Sequence, residues 1–193
     1  MTAAALVGAA SAAIALPEAI AAEAAPTVLT LGDIDTGAVA ELLASCGLAL
    51  VRVPAGEAIP GSFWGECEAG LIGCNVYARN DTPVHSILHE AAHLLVMPEA
   101  RRALVHTDAT DSIPEEDAAC FLQILLADQL SGVGATRLMA DMDAWGYSFR
   151  LGSACGWFAN DAEDALNFLH SQEAPPWSAA VALPPLAPSP SAD

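Results

Sequence analysis

Two histidines and a glutamate form the pattern in this chain that most clearly points to chemistry. The segment His89-Glu90-Ala91-Ala92-His93 reads H-E-x-x-H. On a helix, residues four apart lie on one face and are separated by about 6 Å along the axis. Two imidazoles at that spacing can bind one zinc ion, so His89 and His93 are predicted zinc ligands. Glu90 lies one step around the helix, where its carboxylate can act as general base toward water that the metal makes more acidic.

An open zinc site of this kind needs a third protein ligand, and an acidic cluster at the start of the next predicted helix supplies the candidates. Asp117 is the preferred candidate. It shares a helical stripe with Phe121 and so points toward the core, where an unpaired carboxylate is costly. Glu116 lies at the border of that stripe and is the alternative third ligand. Glu115 follows Ser112 at the spacing of a capping box, which gives it a structural role.

Two segments together resemble the ImmA/IrrE metallopeptidase family: SILHEAAHLL at residues 86–95 and EEDAACFLQILLAD at residues 115–128. In that family an HExxH helix is followed by a helix in which an acidic residue precedes alanine, a small residue and a Phe-Ala pair. The family's third ligand is a glutamate, and the matching position here is Asp117. Ala92 stands where the family usually has glycine. The resemblance covers about residues 70–127, less than a third of the chain.

The resemblance implies a zinc-dependent, gluzincin-like endopeptidase that uses one Zn²⁺ ion to hydrolyse a peptide bond in a protein or peptide substrate. Family members are often intracellular and cleave a partner repressor, which implies regulatory cleavage and a cytoplasmic location. An alternative from another class is a non-catalytic zinc-binding regulatory or interaction module with a zincin fold. The presence of Glu90 favours the peptidase, because a purely structural zinc site has no use for that carboxylate.

Several other polar residues have chemistry that this site could use. His85 lies one helical turn before His89 and about 12 Å along the axis from His93, too far to bind the same ion. We therefore expect His85 beside the site rather than in it. Four candidates could stabilise the negative oxygen of a tetrahedral intermediate, and the sequence does not choose among them: Tyr77, His106, Tyr147 and Arg150.

The elements that must position these residues are few. Strands are predicted at residues 28–31, 48–53 and 71–78, and helices at 33–46, 82–97, 112–130, 135–145 and 161–170. Thr82 and Pro83 supply a helix start before the HExxH motif. The pattern indicates an α+β, zincin-like fold with a small sheet packed on the HExxH helix and a following ligand-bearing helix. The strand at 71–78 is either a sheet edge to which a substrate peptide adds or an ordinary core strand.

Composition limits the partners. The chain has 193 residues, of which 54% are hydrophobic, so one domain with a real core is expected. Its formal net charge is −18, and its six basic residues are all arginines, which disfavours direct binding to nucleic acid or to an anionic membrane. The five cysteines are scattered without a CxxC pair and are predicted to be small buried hydrophobes.

The ends of the chain differ from its middle. Residues 1–26 are predicted to be an alanine-rich leader outside the fold, residues 27–172 a zincin-like metallopeptidase domain, and residues 173–193 a Pro/Ala-rich disordered tail. The apolar run at residues 3–16 makes export the alternative to a cytoplasmic location, although no positively charged segment precedes it. That run is too short and too rich in alanine to span a bilayer.

Overall fold

The computed structural model describes residues 27–65, 67–110 and 112–186. Within these ranges the chain forms seven α-helices and one three-stranded sheet, which confirms the predicted α+β class. The helices are α1 (Thr36–Ser45), α2 (Val84–Val96), α3 (Glu99–Arg102), α4 (Ile113–Ala127), α5 (Gly134–Trp145), α6 (Ala154–Asn160) and α7 (Glu163–His170). The strands are β1 (Ala49–Arg52), β2 (Gly70–Ile72) and β3 (Asn75–Ala78). The predicted leader, residues 1–26, lies outside the described residues.

The sheet is mixed and has the strand order β1-β3-β2. The central strand, β3, pairs in parallel with β1 and antiparallel with β2. In this register Val76 lies opposite both Leu50 and Leu71. Val76 and Leu71 are fully buried, and β2 and β3 pack against α2. The sheet therefore supports one side of the helix that carries the HExxH motif.

The single strand predicted at residues 71–78 is a hairpin. Gly73 adopts a positive φ of 58° and, with Cys74, forms the two-residue connection between β2 and β3. A glycine at the first position of such a connection permits the tight turn. The outer edge of β2 is already partly used, because the Leu71 amide donates to Gly61 and the Leu71 carbonyl accepts from Thr107. The prediction of one continuous strand is therefore wrong: β3 is the central strand of the sheet and β2 lies at its edge.

The strand predicted at residues 28–31 is also replaced by a different local structure. Thr30 makes only an isolated bridge to Pro83, and the next residues form a short 3-10 helix, Leu31–Asp33. The Thr30 amide and hydroxyl both donate to the Asp33 carboxylate, at 2.9 and 2.7 Å. This local pairing competes with extension of the strand.

Local sequence signals set the ends of α2. The helix begins at Val84, directly after Pro83, whose fixed φ suits a helix start. The predicted capping residue, Thr82, instead accepts a hydrogen bond from the Arg79 amide at 2.9 Å. The helix ends at Val96, two residues before Pro98. Most of its side chains are buried, so α2 runs through the core between the sheet and α4.

Helix α4 is also buried on more than one side. It begins beside Pro114 and packs against α2, α5 and α7. Phe121 stacks on Phe158 of α6 with ring centroids 4.6 Å apart. The side chains of Leu122 and Ile124 are fully buried as well. Because apolar residues surround α4, its hydrophobic pattern does not mark one face as the inner one.

Residues 173–186 differ from the disordered tail predicted for residues 173–193. They include a short 3-10 helix, Pro176–Ala179, and the Trp177 side chain is only 4% exposed. Trp177 donates through Nε1 to Gln172 at 2.9 Å, and Gln172 donates to the carbonyl of Val96 at the end of α2 at 2.6 Å. A buried indole contributes a large apolar area, which outweighs the low helix and strand propensity of the prolines around it. Residues 187–193 lie outside the described residues.

In the described ranges, no helix combines the length and the hydropathy that a membrane span needs.

Candidate metal centre

Three side chains from two helices converge on one point. His89 and His93 lie one turn apart on α2, and their Nε2 atoms are 3.0 Å apart. Glu116, in the first turn of α4, places Oε1 3.4 Å from Nε2 of His89 and Oε2 3.2 Å from Nε2 of His93. All three ligand atoms lie within 4.8 Å of one another, so the three residues could hold a metal ion. His89, His93 and Glu116 are called the metal group below.

The distances fit a small tetrahedral ion. Ligand atoms bound about 2.0–2.1 Å from a tetrahedral zinc ion lie about 3.3 Å from one another. The two Nε2 atoms, 3.0 Å apart, are close to that spacing, and a different Glu116 oxygen lies near each of them, Oε1 at 3.4 Å from His89 and Oε2 at 3.2 Å from His93. Both rings direct the same nitrogen, Nε2, toward the carboxylate, and two imidazoles with one carboxylate form a common catalytic zinc ligand set. The residues present therefore fit a zinc ion.

Burial keeps the first histidine in the state that binds metal. Burial, reinforced by the neighbouring His93, lowers the pKa of His89 to about 3. The ring of His89 is therefore neutral at pH 7, and metal ions bind neutral imidazole. The side chains of His89 and His93 are 15% and 8% exposed, so both rings are largely withdrawn from bulk solvent.

Glu90 lies beside the group without joining it. Its side chain lines the same cavity as His89 and His93, but it is not part of the three-residue cluster. Burial raises the pKa of the Glu90 carboxyl to about 7; His93 opposes this shift, and the negative charges of Glu116 and Glu68 add to it. A carboxylate with a pKa near neutrality is suited to accept and return a proton at pH 7.

The structure does not bring Asp117, the preferred third ligand, to the histidines. Glu116, the alternative, occupies that place, and Asp117 lines a separate cavity with Arg150 and Asp161. Successive residues of a helix point about 100° apart, so only one of the two carboxylates can face α2. Glu116 shares its face with Cys120, whose sulfur lies 3.7 Å from Glu116 Oε1. The sequence favoured Asp117 because the stripe through Phe121 was taken as the inner face, whereas α4 is buried on several sides and Glu116 is the carboxylate that faces the histidines.

The group opens into a cavity of about 440 Å³. Its wall combines α2, the loop before β2, the segment at residues 107–110, the first turn of α4 and the end of α5 with the two residues after it. Phe63 and Trp64, at the rim, are 56% and 78% exposed. The cavity is therefore open to a polypeptide that approaches from solvent.

Of the four residues considered for stabilising an oxyanion, the described cavity contains Tyr147. Its ring centroid lies 5.8 Å from that of His89. Tyr77 lies within β3, and His106 and Arg150 are outside the cavity lining. Arg150 instead pairs with Asp161, with Nε 2.7 Å from Oδ2. His85 lies outside the metal group, as expected, and contacts the ring of Tyr147.

The sequence did not reveal two further cavity residues, Glu68 and Trp145. Trp145 donates through Nε1 to Glu68 at 3.2 Å, although 77 positions separate them in the chain. Neither residue belongs to a periodic pattern that includes the HExxH motif. The one sequence signal for Trp145 is that this large aromatic residue stands at the end of the helix predicted at residues 135–145.

Comparison of the chain with protein families, with curated proteins and with solved structures finds no match. The candidate metal centre therefore rests on the geometry of these residues, and the resemblance to the ImmA/IrrE family stays a prediction.

Proposed function

We propose that this protein is a zinc-dependent peptidase in which His89, His93 and Glu116 hold the ion and Glu90 acts as general base. The observation that carries the proposal is the convergence of the three ligand atoms within 4.8 Å of one another, in a cavity that Glu90 also lines. Zinc held by two imidazoles and a carboxylate keeps an open position and acts as a Lewis acid that makes water more acidic.

Glu90 supplies the proton transfer in this proposal. Burial favours the protonated form of this carboxyl, and the positive charge of a bound zinc ion would favour the ionised form, so both forms are accessible at neutral pH. The ionised form accepts a proton from the attacking water, and the protonated form returns one to the amine that leaves. Both transfers take place within the cavity that His89 and His93 share with Glu90.

Tyr147 supplies the hydrogen bond to the substrate carbonyl oxygen. Burial, with the nearby acidic groups, raises the pKa of the Tyr147 phenol, so the hydroxyl keeps its proton at neutral pH. A hydroxyl donor aimed at an oxygen that becomes negative stabilises the transition state more than the ground state.

The resemblance to the ImmA/IrrE family adds the kind of substrate and the location. The third zinc ligand of that family is a glutamate, which is the residue type of Glu116. Glu116 lies one position before Asp117, the residue that the alignment of the motif selects. On this basis the substrate is a protein, such as a repressor, and cleavage is regulatory and cytoplasmic. This part of the proposal rests on the local motifs of α2 and α4.

The test compares zinc content and hydrolysis in the full-length chain. We expect about one zinc ion per chain by mass spectrometry, and its loss in His89→Ala and His93→Ala. Glu90→Gln should keep zinc but lose at least about 100-fold of the cleavage of a proteome-derived peptide mixture, because the general base is gone. Glu99→Gln, an exposed change in α3, is the matched control.

Equal peptide cleavage patterns from wild type and Glu90→Gln would rule out the peptidase. If zinc is nevertheless bound, that result supports the alternative of a non-catalytic zinc-binding regulatory module. If zinc is absent from the wild type, both forms of the proposal fail.

A further inference from the structure

One end of the cavity is built from a carboxylate, an imidazole and an indole that do not belong to the metal group. The Trp145 Nε1 donates to Glu68 Oε1 at 3.2 Å, which holds this carboxylate at the cavity wall. The ring of His85 lies against that of Trp145, with centroids 5.1 Å apart. Trp145 is 41% exposed, so part of the indole remains accessible to a bound molecule.

His85 is buried without a polar partner. Its side chain is 1% exposed and lines the cavity, yet neither ring nitrogen has a hydrogen-bond partner among the described residues. Burial lowers the pKa of His85 to about 4, with Asp141 opposing the shift, so the ring is neutral at pH 7. A neutral imidazole offers one acceptor and one donor. Since an unpaired buried polar group is costly, a ligand that hydrogen-bonds to His85 removes that cost.

The charged side chains that line the described cavity, apart from its histidines, are all acidic. They are Glu68, Glu90, Asp108 and Glu116. The six basic residues of the protein are all arginines, all of them lie in the described ranges, and each contacts another part of the chain. The pairs are Arg52 with Asn80, Arg79 with Asp81, Arg101 with Glu115, Arg102 with the Leu94 carbonyl, Arg137 with Asp141, and Arg150 with Asp161. None of these arginines lines the described cavity, so a cationic side chain that pairs with Glu68 there would come from a bound molecule.

We propose that Glu68, His85 and Trp145 form a subsite for a cationic side chain, arginine or lysine, of a polypeptide substrate. The carboxylate offers a charge-assisted hydrogen bond, the accessible indole a cation–π contact, and the imidazole nitrogen a further acceptor. These three groups complement a cation, and the nearby carboxylates Glu90 and Asp108 reject an anionic side chain.

The subsite lies close to the metal group. His85 stands one turn before His89 on α2, which separates the two residues by about 6 Å along the axis. An extended peptide advances about 3.3 Å per residue, so the subsite selects a residue one or two positions from the bond that is cleaved. This inference rests on the proposed peptidase function and specifies the substrate residue that the site selects.

The experiment measures binding rather than turnover. Blocked alanine pentapeptides with arginine or its neutral isostere citrulline at the centre are titrated calorimetrically into full-length Glu90→Gln protein with zinc present. A second pair carries lysine or acetyllysine. We expect at least one cationic peptide to bind about tenfold more tightly than its neutral counterpart, the size of one charge-assisted contact together with a cation–π contact.

Two variants identify the residues responsible, each made in the Glu90→Gln background. Glu68→Gln keeps the acceptor for Trp145 but removes the charge, and His85→Phe keeps the ring packing but removes both nitrogens. Each should lose most of the preference for the cationic peptide. Glu41→Gln, which removes the same charge from an exposed position on α1, should keep the full preference. Melting temperatures show that each variant remains folded.

The experiment distinguishes failure of the proposed subsite from failure of the proposed peptidase function. Equal affinity for cationic and neutral peptides in the parent protein overturns the subsite, and so does a preference that persists in both Glu68→Gln and His85→Phe. A preference that depends on Glu68 and His85 supports the subsite, even if the wild-type protein hydrolyses no peptide. In that case the proposed function fails by itself.

Discussion

Glu116 and Asp117 are neighbours in the chain, but their carboxylates have unrelated surroundings. Glu116 lies between the two imidazoles of α2, at 3.4 and 3.2 Å from their Nε2 atoms. Burial and the negative charges of Glu116, Asp164 and Asp161 raise the pKa of Asp117. A carboxylate among other carboxylates lacks the imidazole partners that a zinc site provides. The two residues can therefore be distinguished by how strongly each affects metal binding.

Replacing Glu116 should weaken zinc binding far more than replacing Asp117. We expect Glu116→Ala to reduce zinc affinity by at least about 100-fold. Loss of a residue that only supports a ligand reduces metal affinity by up to about 100-fold, and loss of a ligand itself should cost at least as much. Asp117→Ala should change it by less than about threefold, because its carboxylate lies outside the group. Competition titrations with a chromophoric chelator measure both, and a larger loss in Asp117→Ala would mean that α4 has a different rotation in solution.

The hydroxyl of Tyr147 should matter for turnover but not for zinc content. Tyr147→Phe keeps the ring contacts with His85 and His89 and removes the hydroxyl alone. We expect the kcat for a cleaved peptide to fall about 100-fold, as when one oxyanion donor is lost. Steady-state kinetics with zinc-loaded protein measure this loss. An unchanged kcat would leave Tyr147 only a packing role.

At the scale of elements, local signals explain which parts of the fold could be predicted. The boundaries of α2 follow from Pro83 and Pro98, and α5 ends at Trp145, directly before Gly146, whose φ of 107° suits a helix stop. These signals act within a few residues, so the sequence contains them. The rotation of α4 depends instead on how three other helices pack around it. For that reason the pairing of His89 with His93 on one helix face could be predicted, whereas the carboxylate that lies closest to them could not.

The residues of the cavity wall likewise depend on tertiary packing rather than on local sequence signals. Glu68 and Trp145 meet across 77 positions, and the segment at residues 107–110 has no periodic pattern. The neighbours of such residues are set by tertiary packing, which propensity and patterning do not describe. The order found at residues 173–186 has the same origin, because a single buried indole, Trp177, anchors a segment of low propensity to the core.

Trp177 should contribute strongly to the stability of the fold. Its side chain is 4% exposed, and truncation of a buried tryptophan costs about 3–5 kcal/mol. We expect Trp177→Ala to lower the free energy of unfolding by about 3 kcal/mol in chemical denaturation. Trp64→Ala, at a side chain that is 78% exposed, should change it by less than about 0.5 kcal/mol. Equal effects of the two changes would mean that residues 173–186 are not packed in solution.

At the scale of the whole molecule, the metal group joins the two central helices. His89 and His93 belong to α2 and Glu116 to α4, and these helices pack against each other in the core. A ligand that binds only the folded state stabilises it in proportion to the logarithm of its concentration over Kd. Zinc bound here would therefore stabilise the packing of the core as well as the site.

Removing zinc should lower the melting temperature of the wild-type chain. With free zinc about 1,000-fold above Kd, the ion adds about 4 kcal/mol to the free energy of unfolding. Thermal denaturation with and without a chelator measures the shift. His93→Ala should melt at the same temperature in both conditions, and a chelator effect of wild-type size in that variant would place the stabilising ion elsewhere.

The contact between the C-terminal segment and α2 has a practical consequence for where the folded domain can be cut. Gln172 donates to the carbonyl of Val96, three residues beyond His93, and Trp177 and Val181 are buried in the core. A fragment trimmed at the proline-rich stretch would leave a hole as large as an indole ring. It would also remove the Trp177 indole that donates to Gln172, the residue that hydrogen-bonds to the last turn of α2. A minimal fragment that retains the metal group must therefore extend through Val181, well past the point where composition alone would place the end of the domain.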